Sequence, residues 1–151
     1  DAHDGKRRKR SLFLNNLIEE MGMADIQKVR DVMMSNFTKV DGIMKVSDVL
    51  DMMRNTKINA VLVEPRDGND VYGIMTLKDI ARKVIGQRRK LHETHVYEIM
   101  SKPVLSVKSD MPIPYAARFL SNFDVSYTMV IENNEVTGMV SLNGMVVRWK
   151  D

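Results

Sequence analysis

The chain repeats itself. Val29-Arg30-Asp31-Val32-Met33 is matched sixty-seven residues later by Val96-Tyr97-Glu98-Ile99-Met100: apolar, polar, acidic, apolar, Met in each. At the same offset Val40 meets Val107, Val46 meets Ile113, Val49 and Leu50 meet Ala116 and Ala117, Met53 meets Leu120, and Ile58 meets Val125. The offset then falls to sixty-five, where Gly73-Ile74-Met75-Thr76 meets Gly138-Met139-Val140-Ser141. The first copy therefore holds two extra residues, expected in the turn around Pro65 to Asp70, since turns tolerate insertion. A unit of about 55 residues cannot easily cover both its strands and its helices. Two copies in a chain of 151 residues can do so by burying each other.

The periodicity inside each copy is legible. Val46, Val49, Leu50 and Met53 fall at i, i+3, i+4 and i+7, as do Ile113, Ala116, Ala117 and Leu120, which lines one face of a helix. Asp110 and Pro112 suit the start of the second of these helices. Ile58 to Val63 and Val125 to Ile131 read as buried strands, followed by turns and by second strands at Val71 to Met75 and Val136 to Val140. A helix closes each copy, from Thr76 to Ile85 near Gly86, and from Ser141 toward Trp149. The expected fold is α+β: two strand-helix-strand-strand-helix repeats packed sheet to sheet. Leu14, Leu17, Ile18 and Met21, with Ser11 as N-cap, predict an extra N-terminal amphipathic helix. The expected organisation is a basic disordered tail at 1–10, the helix and its connection at 11–28, repeats at 29–86 and 96–151, and a linker at 87–95.

Composition narrows the function classes. At 44% hydrophobic and 28% charged residues the chain is an ordinary globular one. No cysteine is present, which excludes disulfide scaffolds, thiolate metal sites and cysteine nucleophiles. The apolar runs are about four residues long, as at Ala60 to Val63, far short of a membrane span. The net charge of +3 belongs to the first ten residues, which hold five basic and two acidic side chains; the remainder is balanced at eighteen of each. Lys6 to Arg10 reads either as a solvated tail or as a contact for an anionic partner. Ser11 to Ile18 lacks the form of a secretory signal, so the expected location is the cytoplasm. Asp1 opens the chain, which suggests a fragment of a longer parent. His92 and His95, with Glu93 nearby, are too few for a metal site, and no phosphate loop, nucleophile elbow or zinc signature occurs.

The paired openings, the hairpin strands and Gly-Ile-Met-Thr-Leu-Lys-Asp at 73–79 resemble a tandem pair of cystathionine-β-synthase (CBS) domains, a Bateman module. The resemblance spans about Val29 to Lys150. It implies a regulatory module without catalysis that binds an adenosine-containing ligand, AMP, ADP, ATP or S-adenosylmethionine, between the copies. Carried over residue by residue, Asp79 is the ribose acceptor and Thr76 its neighbour, with Lys78 and Arg82 as phosphate partners. A carboxylate offers two oxygens to a cis-diol, which suits the role. The adenine pocket maps to Val104, Leu105, Val125, Ser126 and Tyr127. The second copy departs from the pattern: Ser141 is kept, but Asn143 is followed by Gly144 where the acid would stand, so the second cleft is expected to be degenerate. The resemblance also implies a homodimer, a disc of four copies, controlling a parent or partner enzyme or transporter. Two alternatives stay open. Thr76-Leu77-Lys78-Asp79 is also a capping box, which makes a ligand-free dimerisation module possible on the same residues. The basic tail leaves a nucleic-acid-binding module as the more distant reading.

Overall fold

A computed structural model describes residue 9 and residues 12–17, 26–103 and 105–151. Ser11, Ile18, Met21, Val104 and, in the basic tail, Lys6 to Arg8 and Arg10 lie outside these residues. Residues 12–17 are helical. The first copy comprises α1 (Val29–Val32), β1 (Lys39–Val40), α2 (Val46–Thr56), β2 (Ala60–Val63), β3 (Gly73–Thr76) and α3 (Leu77–Lys83). Two 3-10 turns follow, Ile85–Gln87 and Leu91–Glu93. The second copy comprises α4 (Val96–Ile99), β4 (Ser106–Val107), α5 (Ile113–Asn122), β5 (Tyr127–Glu132), β6 (Glu135–Ser141) and α6 (Leu142–Val147). The α+β repeat architecture is the expected one, with the one-turn helices α1 and α4 as additions.

Each copy forms a three-stranded sheet in sequence order, its first strand parallel to the second and the second antiparallel to the third. Strand residues point alternately to the two faces, and both faces here are buried. Val61, Val63 and Met75 face their own helices, joining Val46, Val49, Leu50, Met53 and Ile80 in one core. Val130 and Val140 do the same with Ile113, Ala116, Leu120 and Met145. The intervening residues Ala60, Leu62, Ile74, Met129 and Met139 form a third cluster where sheet meets sheet. This double burial explains why the strands read as continuous apolar runs and not as alternating ones.

The opening helices are exchanged between the copies. Val96 and Ile99 of α4 lie in the first core, and Val29 and Val32 of α1 lie in the second. The backbone bonds that hold them come in matching pairs. Val29 and Arg30 donate to the carbonyls of Met111 and Ser109, while Val96 and Tyr97 donate to those of Met44 and Gly42. After each helix the chain crosses to the other hairpin, where Met34 bridges to Met139 and Ser101 to Ile74. The motif glycines permit this approach. A Cβ on Gly138 would lie 3.0 Å from the Met34 carbonyl oxygen, and one on Gly73 would lie 2.7 Å from Met100 Sδ and 3.3 Å from the Ser101 carbonyl oxygen. The methionine that ends each opening motif therefore packs on the glycine that opens the other copy's hairpin motif.

The hairpin turns differ as the offsets predict. Asn133 and Asn134 close the second tightly, both at positive φ, 51° and 65°, the backbone that a two-residue turn between twisted strands requires. The first runs through Pro65 to Asp70, where Asp70 accepts the Arg66 N–H at 2.9 Å and Asp67 accepts that of Asn69 at 2.9 Å.

Candidate functional site

The junction of β3 and α3 is built by a reciprocal cap. Thr76 has extended backbone and its Oγ1 accepts the Asp79 N–H at 3.1 Å. Asp79 Oδ2 in turn accepts from the Thr76 N–H at 2.9 Å and from its hydroxyl at 3.1 Å. Both halves of a capping box are thus present. The second carboxylate oxygen, Oδ1, lies 3.6 Å from Lys83 Nζ. Ser141 caps α6 through the Gly144 N–H at 2.9 Å, with no acid behind it.

Around Asp79 lies a cleft of about 390 Å³ between the copies. Thr76, Lys78, Asp79 and Arg82 form one wall, and Val125, Ser126 and Tyr127 the other. Two groups that the motif did not indicate complete it: Lys102 with Ser101 and Pro103, from the stretch that crosses after α4, and Asp124 beyond α5. Leu105 is not in this lining; it is buried in the second core, where its carbonyl accepts the Thr128 hydroxyl at 2.6 Å. Lys102 pairs with Asp70 of the first hairpin turn. The Arg66 N–H and the Lys102 ammonium together hold the Asp70 carboxyl far below the usual carboxylate range. Lys78 and Arg82 have no acid partner among the described residues, which leaves two cations free to meet an anion.

A second cleft of about 280 Å³ occupies the equivalent place. Ser141, Asn143 and Gly144 line it with Phe37, Lys57, Asn59, Tyr127 and Arg148, and no carboxylate of the described residues is in its lining. Between the two a third space of about 310 Å³ joins Thr76, Lys78 and Ser126 to Ser141 and Asn143. Tyr127 borders all three and packs on the cluster between the sheets.

A family model for the CBS domain matches residues 29–86 and again 96–146. The chain belongs to the CBS domain family. It carries two CBS domains, and the clefts lie between them. It is similar to the CBS domain-containing protein CBSX3, mitochondrial, of Arabidopsis thaliana, 27% identical over 139 residues, covering 85% of this chain and 67% of that protein. For a relative in Methanopyrus kandleri, 25% identical over 95 residues, the match covers 62% of this chain and about half of that protein, 48%. Among solved structures, the hexameric CBS-CP12 protein from bloom-forming cyanobacteria is 28% identical with a TM-score of 0.76, covering 82% of this chain and 72% of that one. The CBS domain pair of protein MJ0100, in complex with 5′-methylthioadenosine and S-adenosyl-L-methionine, shares the fold at 24% identity and a TM-score of 0.66, covering 81% and 94%.

No three His, Asp or Glu side chains among the described residues gather as a metal site would require. His95 stacks on Tyr97 at 5.3 Å between ring centroids, and Nδ1 lies 3.3 Å from Glu98. Glu98 caps α4 by accepting the His95 N–H at 2.7 Å and also pairs with Arg89 at 2.6 Å, which together hold its carboxyl below the ordinary value. No helix among the described residues is long and apolar enough to cross a membrane.

Proposed function

We propose that this CBS pair is a non-catalytic sensing module that binds an adenosine-containing ligand in the Asp79 cleft, with the ribose at Asp79 and a phosphate or other anionic group toward Lys78 and Arg82. The observation that carries this reading is an acid fixed at a cleft wall with two unpartnered cations on the same helix. The cap uses Oδ2, and a carboxylate oxygen has two lone-pair sites, so Oδ1 remains an acceptor for a ribose hydroxyl. Ser126 and the backbone of β5 stand opposite, where the edge of a base would meet hydrogen-bonding groups and the Val125 and Tyr127 side chains would flank it. The fold is shared with a CBS pair that holds adenosyl ligands, which makes the size and chemistry of the cleft reasonable for this class.

Lys102 adds a third cation, paired with Asp70. A ligand with a longer anionic tail would compete with Asp70 for it, so AMP and ATP differ in how far they engage the first hairpin turn. Control of a parent or partner follows if the ligand prefers one relative arrangement of the two domains, since it shifts that equilibrium only by its differential affinity.

Melting curves with AMP, ADP, ATP, S-adenosylmethionine and GTP test the reading. A ligand at 100 times its dissociation constant stabilises the folded state by about 2.7 kcal/mol. One or more adenosyl ligands are expected to raise the melting temperature, and GTP is not. No shift with any adenosyl ligand, while the protein melts cooperatively, overturns the reading.

A further inference from the structure

The two domains differ in what covers the groove between their helices. In the first, the groove between α2 and α3 is closed by the linking segment. Leu91 packs against the core that contains Leu50, Ile80 and Val84, and the bonds Arg89 N–H to Val84 O and Val46 N–H to Thr94 O, at 2.9 and 2.8 Å, fix the segment there. Leu50 and Val84 are buried as a result.

In the second domain the equivalent groove is open. Ile113, Pro114 and Ala117 of α5 face Met145 and Val146 of α6 and Trp149 across an almost wholly apolar hollow of about 300 Å³. Trp149, which takes the place of the buried Val84, is 37% exposed, and Val146 is 75% exposed. In the sequence, the residue that stands before Val29 as Leu91 stands before Val96 is Ala24, three carbons smaller than leucine.

The chain supplies larger side chains just upstream. In the helical segment 12–17, Leu12, Phe13, Leu14 and Leu17 are all exposed. Just before α1 the chain is anchored at the rim of the groove: Gln27 Nε2 donates to the Arg148 carbonyl at 2.9 Å, and Gln27 Oε1 accepts the Lys150 N–H at 2.7 Å. Those two residues flank Trp149. Leu17 lies ten residues before Gln27, a tether of at most about 35 Å.

We propose that the apolar face of segment 12–17 closes over the α5–α6 groove of its own chain, as Leu91 closes the α2–α3 groove. The equivalence of the two grooves and the anchor at Gln27 place the occupant in the same molecule. The segment then acts as a cap on the second domain, and its release exposes an apolar face beside α6, the helix that borders the second cleft.

Trp149 is the sole tryptophan of the chain, so its fluorescence reads the groove directly. In the full-length protein, Phe13→Glu together with Leu17→Glu is expected to shift the emission maximum to the red and to raise quenching by acrylamide. A second variant, Val146→Lys on the groove itself, is expected to loosen the segment, read as faster proteolysis within residues 12–17. Both substitutions lie outside the domain cores, and an unchanged cooperative melt confirms the fold. Emission and quenching unaltered by the double variant overturn the proposal. Shielding of Trp149 that is lost on dilution, in parallel with a halved mass by light scattering, also overturns it, because the occupant then belongs to a second copy.

Discussion

Asp79 closes a capping box, and its proposed contact with a ribose can be separated from that cap. Asp79→Ala removes the reciprocal half of the cap and is expected to cost about 0.5–2 kcal/mol, measured by urea unfolding. Asp79→Asn keeps an acceptor for Thr76 and should recover most of that stability while still failing to hold a cis-diol. Gly138 is a second residue whose identity has a steric reason: Gly138→Ala sets a methyl 3.0 Å from the Met34 carbonyl oxygen. It is expected to destabilise by about 1–3 kcal/mol, as overpacking does; a melting temperature equal to wild type would show that the exchanged segment can move aside freely. Thr76 and Asp79 were legible because a strand end, a hydroxyl and an acid three residues later form a local pattern. Lys102 was not legible. It reaches the cleft only because the chain crosses to the other domain after α4, and no spacing within one copy encodes that crossing.

At the scale of elements, helical periodicity in the sequence captures α2 and α5, each of which buries one face, while the four hairpin strands stand out as continuous apolar runs because both their faces are buried. The helices α1 and α4 are a single turn long, too short for a period to show, and their burial is in the other domain's core. Their exchange makes a direct prediction. Ile99 is fully buried in the first core, so Ile99→Ala should cost about 2–5 kcal/mol and speed amide exchange in α2, although residue 99 belongs by sequence to the second copy. Acceleration confined to α5 would contradict the exchange.

The start of α4 also sets an acid sensitivity. The His95 N–H and Arg89 lower the Glu98 carboxyl from its ordinary 4.5. A carboxylate whose folded value is depressed stabilises the native state above its unfolded value and loses that contribution as pH falls through the folded one. Stability is therefore expected to decline on acidification below about pH 4.5, and Glu98→Gln should flatten that decline in melting curves. Asp70, lowered by Arg66 and Lys102, contributes in the same direction at still lower pH.

The two domains share their cores, so that neither is complete alone. Each core includes two buried residues from the other copy's opening helix, and the cluster between the sheets belongs to both. Heating is expected to give a single transition with equal calorimetric and van't Hoff enthalpies, while residues 29–86 alone should not melt cooperatively. The two clefts are equivalent by position, and the sequence difference of Asp79 against Gly144 makes them chemically unequal. The proposed site thus holds one ligand per chain, at Asp79. Isothermal titration of the adenosyl ligand that gives the largest thermal shift is the decisive test. A stoichiometry of one is expected, abolished by Asp79→Ala and retained in Ser141→Ala. Two sites per chain, or binding that survives Asp79→Ala, would contradict it.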